Sequence, residues 1–175
     1  VGESLVIDSG SITAVGVLEG EKAIVASTDI TSFSEASGSP GSVSLSEMEG
    51  EGTDSNPYVI RNDQQLQAMN QDLTASYVLG NNIDATRTDE WNGGDGFTPV
   101  GTVDQPFTGE LDGDGEKIRG LTVNTGNRVG MFRFMGSGSV VSDMVLLESR
   151  TDAGFNVGAV AGKNRGLIES VSVSG

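Results

Sequence analysis

Apolar positions in this chain recur in short beats rather than long stripes. Ile118, Leu121 and Val123 are spaced apolar-x-x-apolar-x-apolar. The same spacing returns at Val141, Met144 and Leu146, 23 residues on, and at Ile168, Val171 and Val173, 27 residues further. A second element precedes two of these beats, VGMF at 129–132 and VGAV at 157–160, 28 residues apart. A period of roughly 20–30 residues built from strands and Gly turns predicts a solenoid. One pass of such a chain cannot bury its apolar face alone, so successive passes stack and share a core. Gly130, Gly158 and Gly162 suit tight corners between strands.

The rest of the pattern divides the chain. Residues 1–27 contain apolar pieces around Leu5–Ile7, Ile12–Leu18 and Ala23–Ala26, broken at Ser9-Gly10 and Glu19-Gly20. They predict short strands, either a meander or an arm that completes another subunit's sheet. Residues 28–57 are rich in Ser, Gly, Glu and Pro and read as a linker with little core-forming power. With the boundary near residue 50, the expected organisation is a β-rich arm at 1–27, a linker at 28–50 and a parallel β-helix domain at 51–175. The one helix predicted is NDQQLQAMNQDL at 62–73. Asn62 or Asp63 can cap it, and Leu66, Met69 and Leu73 form one apolar face. Among strands, its expected role is to cap one end of the stack.

Composition sharpens this. Gly is abundant, 26 residues of 175, and aromatics are few, which suits many short strands and tight turns rather than a helix bundle. The net charge of −15 is spread, with −7 in residues 1–50 and −8 in 51–175. Nucleic-acid binding is therefore disfavoured, because phosphate contact needs clustered Lys and Arg. Of the ten bases only Lys22, Lys117 and Lys163 are Lys. An acidic, Lys-poor surface is expected of a protein kept soluble in strong brine. An ordinary acidic secreted protein is the alternative. Cys and His are both absent, which removes disulfides, thiolate sites and His-based acid/base chemistry. No apolar run approaches the ~20 residues that span a membrane. The sequence starts at Val1 without Met or signal peptide, so either a leader was removed or the chain was cut.

The segments GTDSNPYVI, LQAMN, YVLGNNID, W…GFTPVG, FTGELDGDGEKIRGLTV, VGMF…VVSDMVL and VGAVAGKNRGLIESVSVSG together resemble the family carrying the GLUG motif. The likeness runs in order over about residues 50–175. It implies an all-β fold, a right-handed parallel β-helix, in surface and adhesin-like proteins of bacteria and halophilic archaea and in some viral fibre-like proteins. One departure is the turn usually read as DGNGHTI, which here is DGDGEKI and so more acidic. The sequence also ends at Gly175 directly after a repeat strand. The expectation is that the natural chain continues or that another subunit covers that end, with the N-terminal strands as candidate cover.

The acidic turn is the main chemical candidate. Asp112, Asp114 and Glu116 alternate as calcium ligands do, but no bidentate Glu follows at the right distance and the flanks are strands. A surface turn is the preferred reading, and a weak Ca²⁺ site on these three acids is the one metal candidate. No other cofactor and no catalytic residue is expected. Polysaccharide cleavage would need two carboxylates facing one bond, ~5–10 Å apart. Asp112, Asp143 and Glu169 occur at near-equivalent positions, and Lys117, Arg119 and Lys163 are available bases, but nothing singles them out. Trp91 either stacks on a sugar or, as preferred, packs with Phe97 and Phe107. Asn81 and Asn82 in NNID suit hydrogen bonding at a corner better than ligand binding. GSPG-like sequence around 37–42 is a flexible joint, not a phosphate loop, because no Lys or helix start follows.

The expected function is a non-enzymatic structural or adhesive module, secreted or displayed on a cell or virion surface. Self-association or a neighbouring subunit is the expected partner, through head-to-tail assembly into a filament by the N-terminal arm. Surface glycans are a further candidate partner. The alternative functions are a carbohydrate-binding or carbohydrate-cleaving β-helix and a virion fibre or spike component.

Overall fold

Strands of two to four residues carry the structure, and one burial rule runs through them. In β4 (Glu110–Asp112), β5 (Lys117–Arg119), β7 (Val140–Ser142) and β8 (Val145–Leu147) the central residue is the fully buried one. Those residues are Leu111, Ile118, Val141 and Leu146. Burying each of them contributes about 1.5–3 kcal/mol. The computed structural model describes residues 41–151 and 155–175. The expected arm at 1–27 and the linker as far as residue 40 lie outside the described residues.

The other strands are β1 (Tyr58–Ile60), β2 (Ser76–Leu79), β3 (Ile83–Asp84), β6 (Thr122–Val123), β9 (Arg150–Thr151), β10 (Leu167–Glu169) and β11 (Ser172–Ser174). They form a five-stranded sheet in the order β1-β2-β4-β7-β10, a four-stranded sheet β11-β8-β5-β3 and a two-stranded sheet β6-β9. Every named pair is parallel. The all-β class is as expected, in the form of three separate parallel sheets rather than one closed wall. Isolated parallel bridges add Val100–Phe132–Ala161 and Phe107–Met135–Asn164.

The register corrects the repeat read from the sequence. Val141 pairs with Leu111, not Ile118, and Ile118 pairs with Leu146. The beat at Ile118, Leu121 and Val123 is thus displaced by one corner from the other two. The displacement escapes a pattern search because every corner places inward residues at the same spacing. The beats at Val141/Leu146 and Ile168/Val173 are in true register, as are Val129 and Val157 in the second element.

Corners are marked by backbone rather than composition. Asp143 and Ser170 occupy the left-handed region between β7 and β8 and between β10 and β11, with φ of 50° and 52°. Asp114, between β4 and β5, does so at 47°. Short polar side chains tolerate this conformation best. Side chains also tie successive passes together. The Asn82 carboxamide oxygen accepts from the Lys117 N–H at 2.9 Å, and the Asn81 amide donates to the Arg61 carbonyl at 3.1 Å. That is the corner role expected for NNID.

The predicted helix is shorter than its apolar face. α1 covers Asp63–Ala68 and passes into a 3-10 turn at Met69–Gln71. Asn62 caps it by accepting from the Gln65 N–H at 2.9 Å. Leu66 and Met69 are fully buried, and Leu73 packs against the same core. Asp63 is buried and forms a two-pronged ion pair with Arg87, which ties the start of α1 to the turn at Thr86–Gly94. Hydrogen bonding to Asp63 raises the Arg87 pKa above its ordinary value. Residues just before 50 reach the core as well, with Met48 buried and Val43 and Leu45 packed against it. The Glu49 carbonyl accepts from the Val59 N–H at 2.8 Å, so this stretch covers the outer edge of β1.

A row of rings runs along the stack. Tyr58, Tyr77, Phe107 and Phe132 follow one another with centroids 5.7, 6.5 and 4.9 Å apart. Burial pushes the Tyr77 phenol well above its ordinary pKa, with the Asp72 carboxylate adding to the effect, and its hydroxyl donates to the Asp72 carbonyl at 2.7 Å.

Candidate functional site

Two surfaces stand out, the acidic corner and the outer edge formed by β10 and β11. At the corner, Gly113 brings two passes of chain into contact. Its N–H donates to the Ser142 carbonyl at 2.8 Å, and the Gly115 N–H donates to the Asp143 carbonyl at 2.7 Å. The Asp112 carboxylate accepts from the Asp114 N–H at 2.9 Å, so one of the three candidate acids is occupied in shaping the turn. Asp112, Asp114 and Asp143 line an open groove of about 350 Å³ with Met144, Val145 and Ser170. Glu116, half-buried, does not line it. Among the described residues no three carboxylates come close enough to hold a metal ion.

The supposed ladder of acids does not form as drawn. Asp112 and Glu169 both pair in register with Ser142, so a hydroxyl separates them, and Asp143 falls on the corner one residue later. The candidate bases are placed elsewhere. Arg119 pairs with Glu148 at 2.9 Å, beside Asp84 in register on the neighbouring strand. Its hydrogen bond to Glu148 raises the Arg119 pKa. Thr86, through its hydroxyl and N–H, holds the Asp84 carboxyl below the usual carboxylate range. Lys163 and Arg165 lie 5.0 and 5.5 Å from the Phe134 ring. Trp91 is 4% exposed and belongs to the same core as Phe97 and Phe107, so it offers no open face to a sugar.

The outer edge is different in kind. Among the described residues, β10 and β11 are the last strands of their sheets, each paired on one side only. Leu167 and Val173 on these strands are 49% and 53% exposed, and Phe155 and Val157 nearby in the chain are 79% and 49% exposed. Such exposure is unusual for a sheet face in water. Val157 is bridged in parallel to Val129, which is fully buried, yet is itself half exposed.

Two sequence relatives bear on these surfaces. Over 147 residues the chain is 36% identical to halomucin of Haloquadratum walsbyi, a match that covers 77% of this chain and 2% of halomucin. Over 131 residues it is 34% identical to a protein of Evansella cellulosilytica named as a Gly-rich membrane protein, covering 71% of this chain and 15% of that one. The chain thus spans a small fraction of the length of either relative. No family model matches the chain, and no solved structure matches it. No helix among the described residues is long and apolar enough to cross a membrane.

Proposed function

We propose that this chain is a structural segment of a large surface protein of a halophile, built as a right-handed parallel β-helix and carrying no enzymatic activity. The observation that carries the reading is the parallel register: Leu111, Val141 and Ile168 follow one another in one sheet, and Ile118, Leu146 and Val173 in another. Two such columns, repeating every 27 to 30 residues, are what a coiled chain produces and what separate hairpins do not. The names of both relatives support a place at the cell surface. The net charge of −15 supports brine, where self-repulsion is screened within a few Å.

The role is mechanical. A stacked rod holds its flanks at a distance from the cell, and copies join head to tail through the N-terminal arm. The non-enzymatic reading is supported by a groove that no base lines among the described residues, and by the burial of Trp91. The test is labelling of intact cells of the source organism with antibody to this segment, with electron microscopy and light scattering of the purified chain in about 2 M salt. Labelling only after lysis would end the surface reading. A monodisperse monomer at every concentration would end the assembly reading.

A further inference from the structure

We propose that Asn92 is a self-modification site, where the backbone nitrogen of Gly93 attacks the Asn92 carboxamide and water then opens the resulting ring. The first step forms a bond from Gly93 N to Asn92 Cγ and breaks the bond from Cγ to Nδ2. The proton lost by the Gly93 nitrogen leaves with Nδ2 as ammonia. Water then adds across one of the two imide C–N bonds and leaves aspartate or isoaspartate at residue 92, with no oxidation or reduction. Asn is a thermolabile residue, and Asn92 is the only Asn in the sequence that Gly follows. Gly places no side chain beside the attacking nitrogen. Residues 92–95 are exposed, and a β-carbon added at Gly93 or Gly94 would meet nothing within 4 Å.

The fold accounts both for the presence of this reactive pair and for what restrains it. Asn92 and Gly93 lie in succession in the left-handed region, with φ of 54° and 71° and ψ of 35° and 23°. A turn of this kind favours Asn-Gly above other pairs. The restraint falls on the leaving group. Asn92 Nδ2 donates to the Gly96 carbonyl at 2.8 Å and to the Thr98 hydroxyl at 3.3 Å. The carboxamide must leave both partners to meet the Gly93 nitrogen. Thr98 is itself held by α1 and the turn that follows it. Its N–H donates to Gln67 Oε1 at 2.8 Å, and its carbonyl accepts from the Gln67 and Asn70 amides at 3.0 and 3.2 Å. Opening of this hydrogen-bonded turn, rather than exposure alone, therefore sets the rate. The product disturbs the turn. Aspartate offers no amide donor to Gly96 and Thr98, and it adds charge to a stretch that already carries Asp89, Glu90 and Asp95. Isoaspartate also lengthens the main chain between Trp91 and Phe97, both buried.

The experiment incubates the whole 175-residue chain in mildly alkaline buffer with about 2 M salt. Released ammonia gives the rate, and mass spectrometry of peptides locates aspartate and isoaspartate. Release should be confined to Asn92, and the urea-unfolded chain should react about tenfold or more faster than the folded one. Thr98→Val removes one acceptor of the Asn92 amide at an exposed position, and should raise the folded rate about fivefold. Gly93→Ala should lower the rate about tenfold by crowding the attacking nitrogen. It is measured in the unfolded chain as well, so the comparison holds whether or not the fold accepts Ala at a φ of 71°. No release from the folded wild type, release from another residue, or an unchanged rate in unfolded Gly93→Ala would overturn the site. Equal rates in folded wild type, folded Thr98→Val and the unfolded chain would overturn the restraint by the turn.

Discussion

Gly113→Ala tests how closely the passes of chain approach one another. A β-carbon at residue 113 would stand 2.2 Å from the Met144 Cβ and 2.5 Å from the Asp143 carbonyl oxygen. Ordinary carbon contacts need ~3.5–4.0 Å, and neither obstacle is the end of a flexible side chain. The two passes would have to part by more than ~1 Å from a normal ~4.8 Å strand spacing. Overpacking of this kind costs about 1–3 kcal/mol. The movement also weakens the bonds from the Gly113 and Gly115 N–H groups to Ser142 and Asp143, each contributing about 1 kcal/mol. The total is about 3–5 kcal/mol. Gly115→Ala is the comparison. Gly115 has φ of +76° but nothing within 4 Å of an added β-carbon, so its cost is backbone strain alone, about 1–2 kcal/mol. Urea unfolding at fixed high salt measures both variants. Should Gly113→Ala prove no more destabilising than Gly115→Ala, the close stacking of Gly113 on Asp143 and Met144 would be refuted.

Other outcomes follow from the same geometry. Phe107→Ala opens a gap in the ring row between Tyr77 and Phe132 and should cost about 3–5 kcal/mol by denaturant titration, with Phe107→Leu well below that. The raised Tyr77 pKa stabilises the folded state fully below the phenol's ordinary pKa, and that stability is lost as pH rises beyond it. A pH series should therefore show stability falling above about pH 10 by up to roughly 1.4 kcal/mol per unit, and Tyr77→Phe should flatten the slope. Ca²⁺ and EDTA at constant ionic strength should leave the melting temperature unchanged, because the acids of the turn do not converge; a calcium-dependent rise would restore Asp112, Asp114 and Glu116 as ligands. Dilution from about 2 M to about 0.1 M salt should lower the melting temperature as screening of the acidic surface relaxes.

Much of the architecture was legible before any coordinates. Repeated short beats with Gly corners pointed to an all-β chain of short strands, since an apolar face this narrow is buried only against its own repeat. Asn62 as a cap and Leu66 and Met69 as a buried face were local matters and read directly. Absence of His and Cys bounded the chemistry from composition alone. Tertiary structure decided what depends on register. Identical inward spacing at every corner makes Ile118 look equivalent to Val141, and only strand pairing shows that its partner is Leu146. The same one-corner ambiguity drew a ladder of Asp112, Asp143 and Glu169 where Ser142 intervenes. Trp91 could face water or core on sequence grounds, and packing with the rest of the core settled it as buried. A Ser-rich stretch predicts no core, yet Met48 in it packs against one, because burial depends on where the chain passes and not on how polar its neighbours are.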